Sequence, residues 1–250
     1  MRPFLLSTFV LVATAGVRAQ AACLTDGVVL FPRPGATVPT NSQFILEGRG
    51  SEAKRVAALV GRELFLKSSD GAIVKVEVRK GWTSELERTA VRLIPRSELQ
   101  PASTYTLMLD AELPGWRNLD DRAADLPYWR TGPGKDRDRP RWRKLPAPAE
   151  GRYTVEDGRV SREVRFDLEL SEESPAWAVV LLERASGRHN AQTYFAPIDS
   201  GIIIIGHDGC SGGFNFDDGR AYFATIEVWD AAGNRAPPTK RLQFHAPKAP

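Results

Sequence analysis

The sequence predicts an all-β protein made of two β-sandwich domains in tandem. Apolar and polar residues alternate along many short stretches, turn signals separate these stretches, and no long amphipathic helical pattern stands out. Alternation with a period of two places one face of a strand on a core and the other in water. A sandwich of about seven strands takes about 100 residues, so a chain of 250 residues provides for two of them.

The alternating stretches lie on both sides of the middle of the chain. The clearest are IVKVEVR (73–79), TYTLMLD (104–110), VRFDLEL (164–170) and AYFATIEV (221–228). A further stretch, GIIIIG (201–206), is apolar throughout, which predicts a strand covered on both faces. Turn signals such as Ser69-Asp70-Gly71 and Asp217-Asp218-Gly219 separate the stretches. The segment SEAKRVAALV (51–60) fits either a helix or a loop followed by a strand.

The N-terminal segment has the features of a secretory signal peptide. A basic residue, Arg2, precedes an apolar stretch from Phe4 to Gly16, and small residues follow. The stretch is too short to span a bilayer comfortably, and the small residues fit a cleavage site. We therefore expect residues 1–21 to be a cleaved signal, the alternative being a buried N-terminal strand or helix. The mature chain would be secreted, periplasmic or on the cell surface, with no transmembrane segment.

The mature chain is expected to be nearly neutral. The full chain has 34 basic and 31 acidic side chains, and loss of Arg2 and Arg18 with the signal lowers the basic count from 34 to 32. A net charge this small does not favour nucleic-acid binding, so no nucleic-acid partner is expected. A cell-surface protein or a polysaccharide is the expected kind of partner.

The cysteine content fits an oxidising compartment. The two cysteines, Cys23 and Cys210, form an even number in an exported chain, which favours one disulfide between them. The alternative is lipidation, because Gln20-Ala21-Ala22-Cys23 resembles a bacterial lipobox. Gln20 departs from the aliphatic residue usual at that position. Acylation of Cys23 would make the protein an outer-membrane lipoprotein.

A segment near the middle of the chain predicts a domain boundary. TGPGKDRDRPRWRKLPAPAEG (131–151) is rich in proline, glycine and charge and lacks an apolar period. We expect a linker at 134–150 between domains at 22–133 and 151–250. Arginine beside tryptophan can engage an acidic polysaccharide, lipid headgroups or nucleic acid. One hypothesis is therefore a ligand patch, and the alternative is a solvated linker whose tryptophans pack on the adjoining domains. The patch would consist of Trp129, Arg141, Trp142 and Arg143.

The stretch AYFATIEVWDAAGNRAPP (221–238) predicts a strand that ends in a tight turn. Asp230 can accept backbone N–H bonds, and Gly233 and Asn234 tolerate positive φ. The alternative is a weak calcium site at Asp230 and Asn234, which needs further oxygen ligands because Ca²⁺ takes about six to eight of them. The acidic residues nearest in sequence are Asp208, Asp217 and Asp218.

The sequence offers little for catalysis. Residues 209–213, GCSGG, match the G-x-S-x-G pattern, and Asp230 and His245 follow in hydrolase order. A nucleophile elbow needs a helix after the serine, whereas a turn-rich stretch follows Ser211. A secreted hydrolase using Ser211 is therefore the weaker alternative. No metal and no cofactor are expected, since the histidines are far apart along the chain at His189, His207 and His245.

Three patches resemble bacterial domains of known type. FPRPGATVPTNSQFILEG (31–48) resembles the opening of bacterial immunoglobulin-like domains of the SbsA type, with one residue fewer than usual between Ala36 and Val38. VRLIPRSELQPASTYTLMLD (91–110) is similar to a later stretch of that family, and YFATIEVWDAAGNRA (222–236) resembles the last hairpin of other bacterial immunoglobulin-like modules. The resemblance implies two such sandwiches outside the cytoplasm, serving envelope structure, adhesion or recognition without a reaction. A carbohydrate-binding module with exposed aromatic residues is the alternative.

Overall fold

A computed structural model describes residues 26–119, 127–156, 158–187, 191–208 and 212–250. These residues form fifteen strands and one short helix, which confirms the predicted all-β class. The predicted signal peptide at 1–21 and both cysteines, Cys23 and Cys210, lie outside the described residues. Within the described ranges, the structure contains no helix with the length and apolar character needed to cross a membrane.

The first half of the molecule contains eight strands and the helix. They are β1 (Gly27–Phe31), β2 (Thr37–Val38), β3 (Phe44–Arg49), α1 (Ser51–Ala57), β4 (Glu63–Ser68), β5 (Ile73–Ser84), β6 (Arg88–Pro95), β7 (Thr104–Met108) and β8 (Tyr128–Thr131). The hydrogen-bonded order is β1-β3-β6-β5-β4-β7-β8-β2. Consecutive strands β1 and β2 lie at opposite ends of this order, so the sheet folds into two layers around one core.

The core of the first half is formed by the alternating residues that the sequence predicted. Val74, Val76 and Val78 are buried along β5, and Tyr105 and Leu107 are buried along β7. All five belong to one apolar cluster. Helix α1 covers one side of this cluster through Val56, so the helical interpretation of residues 51–60 is the correct one for their first seven positions.

The second half contains seven strands. They are β9 (Arg141–Glu156), β10 (Arg159–Ser171), β11 (Ala176–Arg184), β12 (Gln192–Pro197), β13 (Ile202–His207), β14 (Ala221–Asp230) and β15 (Leu242–His245). They pair as a three-stranded sheet, β13-β10-β9, and a four-stranded sheet, β12-β11-β14-β15. Three strands packed on four is an arrangement of immunoglobulin-like sandwiches, as expected from the sequence.

Strand β13 differs from its prediction. Ile203 and Ile205 are buried, but Ile204 is 41% exposed. The strand is therefore covered on one face only, and the prediction of a strand covered on both faces is wrong. An apolar run alone does not reveal this, because coverage of the outer face depends on what packs against β13, which lies beside β10 at the edge of its sheet.

The predicted linker at 134–150 is not irregular throughout. Strand β9 begins at Arg141, and its first residues pair with β10, as in Trp142 opposite Leu170 and Pro148 opposite Phe166. Prolines are tolerated because β9 is an edge strand with register shifts along this stretch. Within the predicted linker, only residues 134–140 have no regular structure. The domain limits at 133 and 151 stay a prediction.

Candidate functional site

The two halves meet at a largely apolar interface, which we call the junction. Phe31 on β1, Ile45 on β3 and Ala90 on β6 point away from the core of the first half, yet all three are buried. They belong to the same apolar cluster as the core residues of the second half, including Trp177 and Phe195. The outer face of an antiparallel sheet commonly faces water. Here the second half covers part of that face.

Aromatic side chains from both halves fill the junction. Phe31 meets Trp177 edge to face at 5.6 Å between ring centroids. Trp82 lies 5.9 Å from both Phe195 and Trp229. Aromatic pairs in such geometries contribute about 0.5–1.5 kcal/mol beyond the area they bury, so these contacts favour association of the two halves.

A glycine in β5 aims Trp82 at the second half. The pairing of β5 with β6 shifts register between Lys80 and Trp82, and Gly81 lies at the shift. A Cβ atom at Gly81 would come within 2.4 Å of the carbonyl oxygen of Ala90. Only glycine permits this approach, and such a bulge redirects the next side chain.

A buried carboxylate, Glu47 on β3, ties the halves together by hydrogen bonds. Its side chain lies between two arginines of the first half, with Arg49 at 2.8 Å and Arg88 at 3.7 Å. From β12 of the second half, the Tyr194 hydroxyl donates a 2.8 Å hydrogen bond to Glu47 Oε1. Burial, and then the negative charge of Glu47, raise the pKa of Tyr194 well above its usual 10.0. The phenol therefore stays protonated and remains a donor.

A second acidic site, which we call the carboxylate cluster, lies elsewhere at the border of the halves. It consists of Asp136 after the first half, Glu172 after β10 and Asp230 at the end of β14, whose oxygen atoms lie within 4.8 Å of one another. Asp230 is fully buried. Burial raises its pKa to about 6, hydrogen bonds from Asn234 oppose the rise, and the charges of Asp136 and Glu172 add to it.

Hydrogen bonds to Asp136 cross the border of the halves. Asn41 of the first half donates from Nδ2 to the Asp136 carbonyl at 2.8 Å, and its Oδ1 accepts from the Asp136 amide at 3.0 Å. Ser174 of the second half donates to Asp136 Oδ2 at 2.5 Å. Burial, and then Asp136, raise the pKa of Glu172, while its hydrogen bonds with the Ser174 backbone lower it.

Asp230 and Asn234, the predicted turn residues, bind each other. The Asn234 amide donates to Asp230 Oδ1 at 2.8 Å, its Nδ2 donates to Oδ2 at 2.9 Å, and Gly233 between them has a φ of 85°. The acidic groups near this turn are Asp136 and Glu172, not the sequence neighbours named above. Those neighbours lie apart, with Asp217 and Asp218 paired to arginines. Calcium binding at the turn stays a prediction.

The predicted ligand patch is not assembled. Trp129 is fully buried in β8, where its ring packs 4.4 Å from Phe44 and its Nε1 donates to the Pro32 carbonyl at 2.8 Å. Its inclusion in an exposed patch is therefore wrong, because the alternation of YWRT turns this side chain inward. Trp142, Arg141 and Arg143 are consecutive in β9, so the tryptophan faces away from both arginines.

Strand register contradicts the pairing of Asp230 with His245 that the hydrolase alternative invoked. Ser211 lies outside the described residues. His245 pairs with Ala221 at the start of β14, whereas Asp230 ends that strand. At about 3.3 Å per residue the two positions are about 30 Å apart. Asp230 and His245 therefore do not form an acid–histidine pair.

Sequence reasoning missed the residues that join the halves. Glu47 occupies a polar position of an alternating strand, FILEGR, which predicts exposure, and its partner Tyr194 lies 147 positions away. The available signal is Trp82, which follows Lys80-Gly81 near the end of an alternating strand. A glycine within a strand is typical of a bulge, which would turn this tryptophan to the outer face.

Fold and junction define a protein of two immunoglobulin-like sandwiches joined by a largely apolar interface. The FN1–FN3 domains of chicken CNTN1 are similar, with 9% identity, a TM-score of 0.27 and coverage of 90% of this chain and 65% of that one. Domains 1–6 of the surface layer protein SbsC match with 11% identity and a TM-score of 0.26, over 84% of this chain and 33% of that one. Native E. coli alpha-2-macroglobulin matches with 10% identity and a TM-score of 0.21, over 88% and 14%.

These similarities carry no functional argument, because all three TM-scores are low and this chain spans less than two thirds of each matched chain. No protein-family model matches the sequence. No curated protein matches it either.

Proposed function

We propose that this chain is a non-catalytic, exported bacterial protein whose two immunoglobulin-like sandwiches act as one rigid unit in envelope structure, adhesion or recognition. The observation that carries the proposal is the junction. A spacer or a two-domain binding surface needs a fixed angle between its domains, and the junction supplies one through buried aromatic contacts and the Tyr194–Glu47 hydrogen bond. Interfaces between domains that move freely are smaller and more polar.

Rigidity is measurable by pulsed electron paramagnetic resonance between one spin label in each half. Ile73 on β5 and Leu181 on β11 are exposed positions for labels, after replacement of Cys210 by serine in a chain without residues 1–23. A rigid unit gives a narrow distance distribution. Glu47→Ala should broaden it by removing the buried carboxylate that Tyr194 binds.

Glu77→Ala is the matched control. Glu77 pairs with the arginine two residues later, Arg79, as Glu47 pairs with Arg49, but on an exposed stretch of β5. A broad distribution in the unsubstituted protein, or equal broadening by both substitutions, contradicts a rigid junction.

Export is tested by expressing the full chain in a bacterial host and measuring the intact mass of the product. Cleavage near residue 21 followed by a mass gain of two protons on reduction supports export and the Cys23–Cys210 disulfide. A mass excess of a diacylglycerol on an N-terminal Cys23 supports export with a lipid anchor instead. An uncleaved cytoplasmic product contradicts the exported setting, while leaving the rigidity result intact.

A further inference from the structure

Three arginines converge at the rim of the junction, and we call them the arginine cluster. They are Arg79 on β5, Arg92 on β6 and Arg235 in the segment after β14. Arg79 and Arg92 occupy directly opposite positions of neighbouring strands. Like charges placed directly opposite each other destabilise a sheet, so this pair needs a compensating interaction.

The third arginine comes from the other half and shares an aromatic ring with the second. The Arg235 guanidinium lies 3.7 Å from the centroid of the Trp229 ring, and the Arg92 guanidinium lies 5.4 Å from the same centroid. Arg92 belongs to the first half and Trp229 to the second. Two cationic groups, one from each half, therefore lie close to the same indole ring at the border of the halves.

The acidic side chains nearby satisfy only the outer arginines. Glu77 accepts two hydrogen bonds from Arg79, at 2.9 and 3.1 Å. Glu227 lies 4.0 Å from Arg235 and accepts a hydrogen bond from Trp229 Nε1 at 2.8 Å. Arg92 takes part in none of the ion pairs found among the described residues. Burial, and then the charges of Arg235 and Arg79, lower the pKa of Arg92.

We propose that the arginine cluster is a binding site for an oxyanion, a carboxylate, sulfate or phosphate group held by Arg92 with Arg79 and Arg235 beside it. A half-buried guanidinium without a carboxylate partner is costly. Its planar donor fork matches the geometry of oxyanions. The outer arginines are about half exposed, so a ligand reaches the site from solvent. A bound oxyanion contacts both halves and stabilises the junction, whether or not the protein is exported.

The test measures thermal unfolding of the chain from residue 22 in sodium sulfate against sodium chloride at equal ionic strength. A ligand that binds only the folded state raises the midpoint temperature logarithmically once its concentration exceeds the dissociation constant. Exclusion of sulfate from protein surfaces adds a general stabilisation that all variants share. We expect sulfate to stabilise the unsubstituted protein by more than this shared amount. Arg92→Gln should weaken the apparent affinity by about 10- to 100-fold, the usual contribution of hydrogen bonds to a charged group.

Two further variants make the result decisive. Arg165→Gln, an exposed arginine on β10 that pairs with the aspartate two residues later, is the matched control and should respond to sulfate like the unsubstituted protein. Arg235→Gln should weaken binding even where Arg92→Gln fails to fold, because the Arg235 side chain is half exposed. Equal responses of all variants, or equal effects of sulfate and chloride, overturn the proposal.

A second set of probes distinguishes a free oxyanion from one carried by a polysaccharide. Polygalacturonate carries carboxylates on a polysaccharide, and uncharged dextran is its control. Binding of polygalacturonate that depends on Arg92, with no binding of dextran, identifies an acidic glycan as a ligand. Binding of sulfate or phosphate alone identifies a small-ion site. Failure of both, with the rigid distance distribution unchanged, removes this site without affecting the proposed structural role.

Discussion

The border of the two halves holds two buried carboxylates with different surroundings, Glu47 at the junction and Asp230 in the carboxylate cluster. Glu47 is buried beside two arginines and receives a hydrogen bond from Tyr194. Asp230 is also buried, but its neighbours Asp136 and Glu172 carry the same charge. The arginines beside Glu47 offset the cost of burying its carboxylate, whereas burial and the acidic neighbours raise the pKa of Asp230. Removal of the Glu47 carboxylate should therefore destabilise the folded protein, whereas ionisation of Asp230 should destabilise it.

The largest loss of stability should follow removal of Glu47, the carboxylate that lies beside two arginines. Glu47→Ala leaves the buried guanidinium of Arg88 without its carboxylate, and breaking such a pair costs about 3–5 kcal/mol. The measurement is urea unfolding at pH 7. Glu77→Ala, the exposed counterpart, should cost about 0–1 kcal/mol. Equal losses for the two variants would show that burial at the junction does not matter.

Asp230, whose neighbouring side chains are acidic, should make the free energy of unfolding fall as pH rises. The folded-state pKa of Asp230 is about 6, above its ordinary 3.8, so the folded protein keeps a proton that the unfolded chain has lost between these values. The contribution is fully present below about pH 4 and is lost as pH rises through 6, up to about 3 kcal/mol at 1.36 kcal/mol per pKa unit.

Asp230→Asn isolates this contribution, because asparagine keeps an acceptor for Asn234 and removes the charge. Unfolding free energies measured from pH 4 to pH 7 should show a smaller decline in this variant than in the unsubstituted protein. Asp199→Asn, at an exposed position, is the control and should leave the decline unchanged. An undiminished decline in Asp230→Asn would place the titrating group elsewhere.

A smaller effect is expected from the hydrogen bond that crosses the junction at Glu47. Tyr194→Phe removes one donor to a charged acceptor and keeps the aromatic packing, so it should cost about 1.5–3 kcal/mol. Urea unfolding gives the value. In a double-mutant cycle with Glu47→Gln the two losses should not add. Additive losses would mean that the hydroxyl and the carboxylate act independently.

The smallest effect belongs to the Ser174 hydroxyl, which donates a hydrogen bond to Asp136 of the carboxylate cluster. Ser174→Ala should cost about 1 kcal/mol at pH 7, since the bond to Asp136 is partly exposed. The loss should shrink at pH 4, where protonation relieves the repulsion within the cluster. A loss that grows towards pH 4 would contradict the assignment of repulsion to this site.

Much of the fold was predictable because it depends on local patterns. The period of two located β5, β7, β10 and β14, and it distinguished their buried residues from their exposed ones. Strand β9 was missed because its prolines and charges are typical of a linker, and an edge strand tolerates both. Ile204 was misjudged because coverage of a strand depends on which strands and domains pack against it.

The site was not predictable from the sequence, because it forms between distant segments. Nothing local links Glu47 to Tyr194, or Asp136 to Asp230. An outward-facing residue of a sheet is expected to meet water, and only the docking of a second domain turns Ile45 and Glu47 into buried residues. The tryptophans were the usable signal. The alternation of YWRT places Trp129 inward, but only if this stretch is recognised as a strand.

The most direct test of a rigid junction is differential scanning calorimetry of the chain from residue 22. Chains longer than about 150 residues with two domains commonly unfold in separate steps. A shared apolar interface predicts one transition, with equal calorimetric and van't Hoff enthalpies, which Glu47→Ala splits into two. Two well-separated transitions in the unsubstituted protein would contradict the account, because the halves would then unfold independently despite the contacts between them.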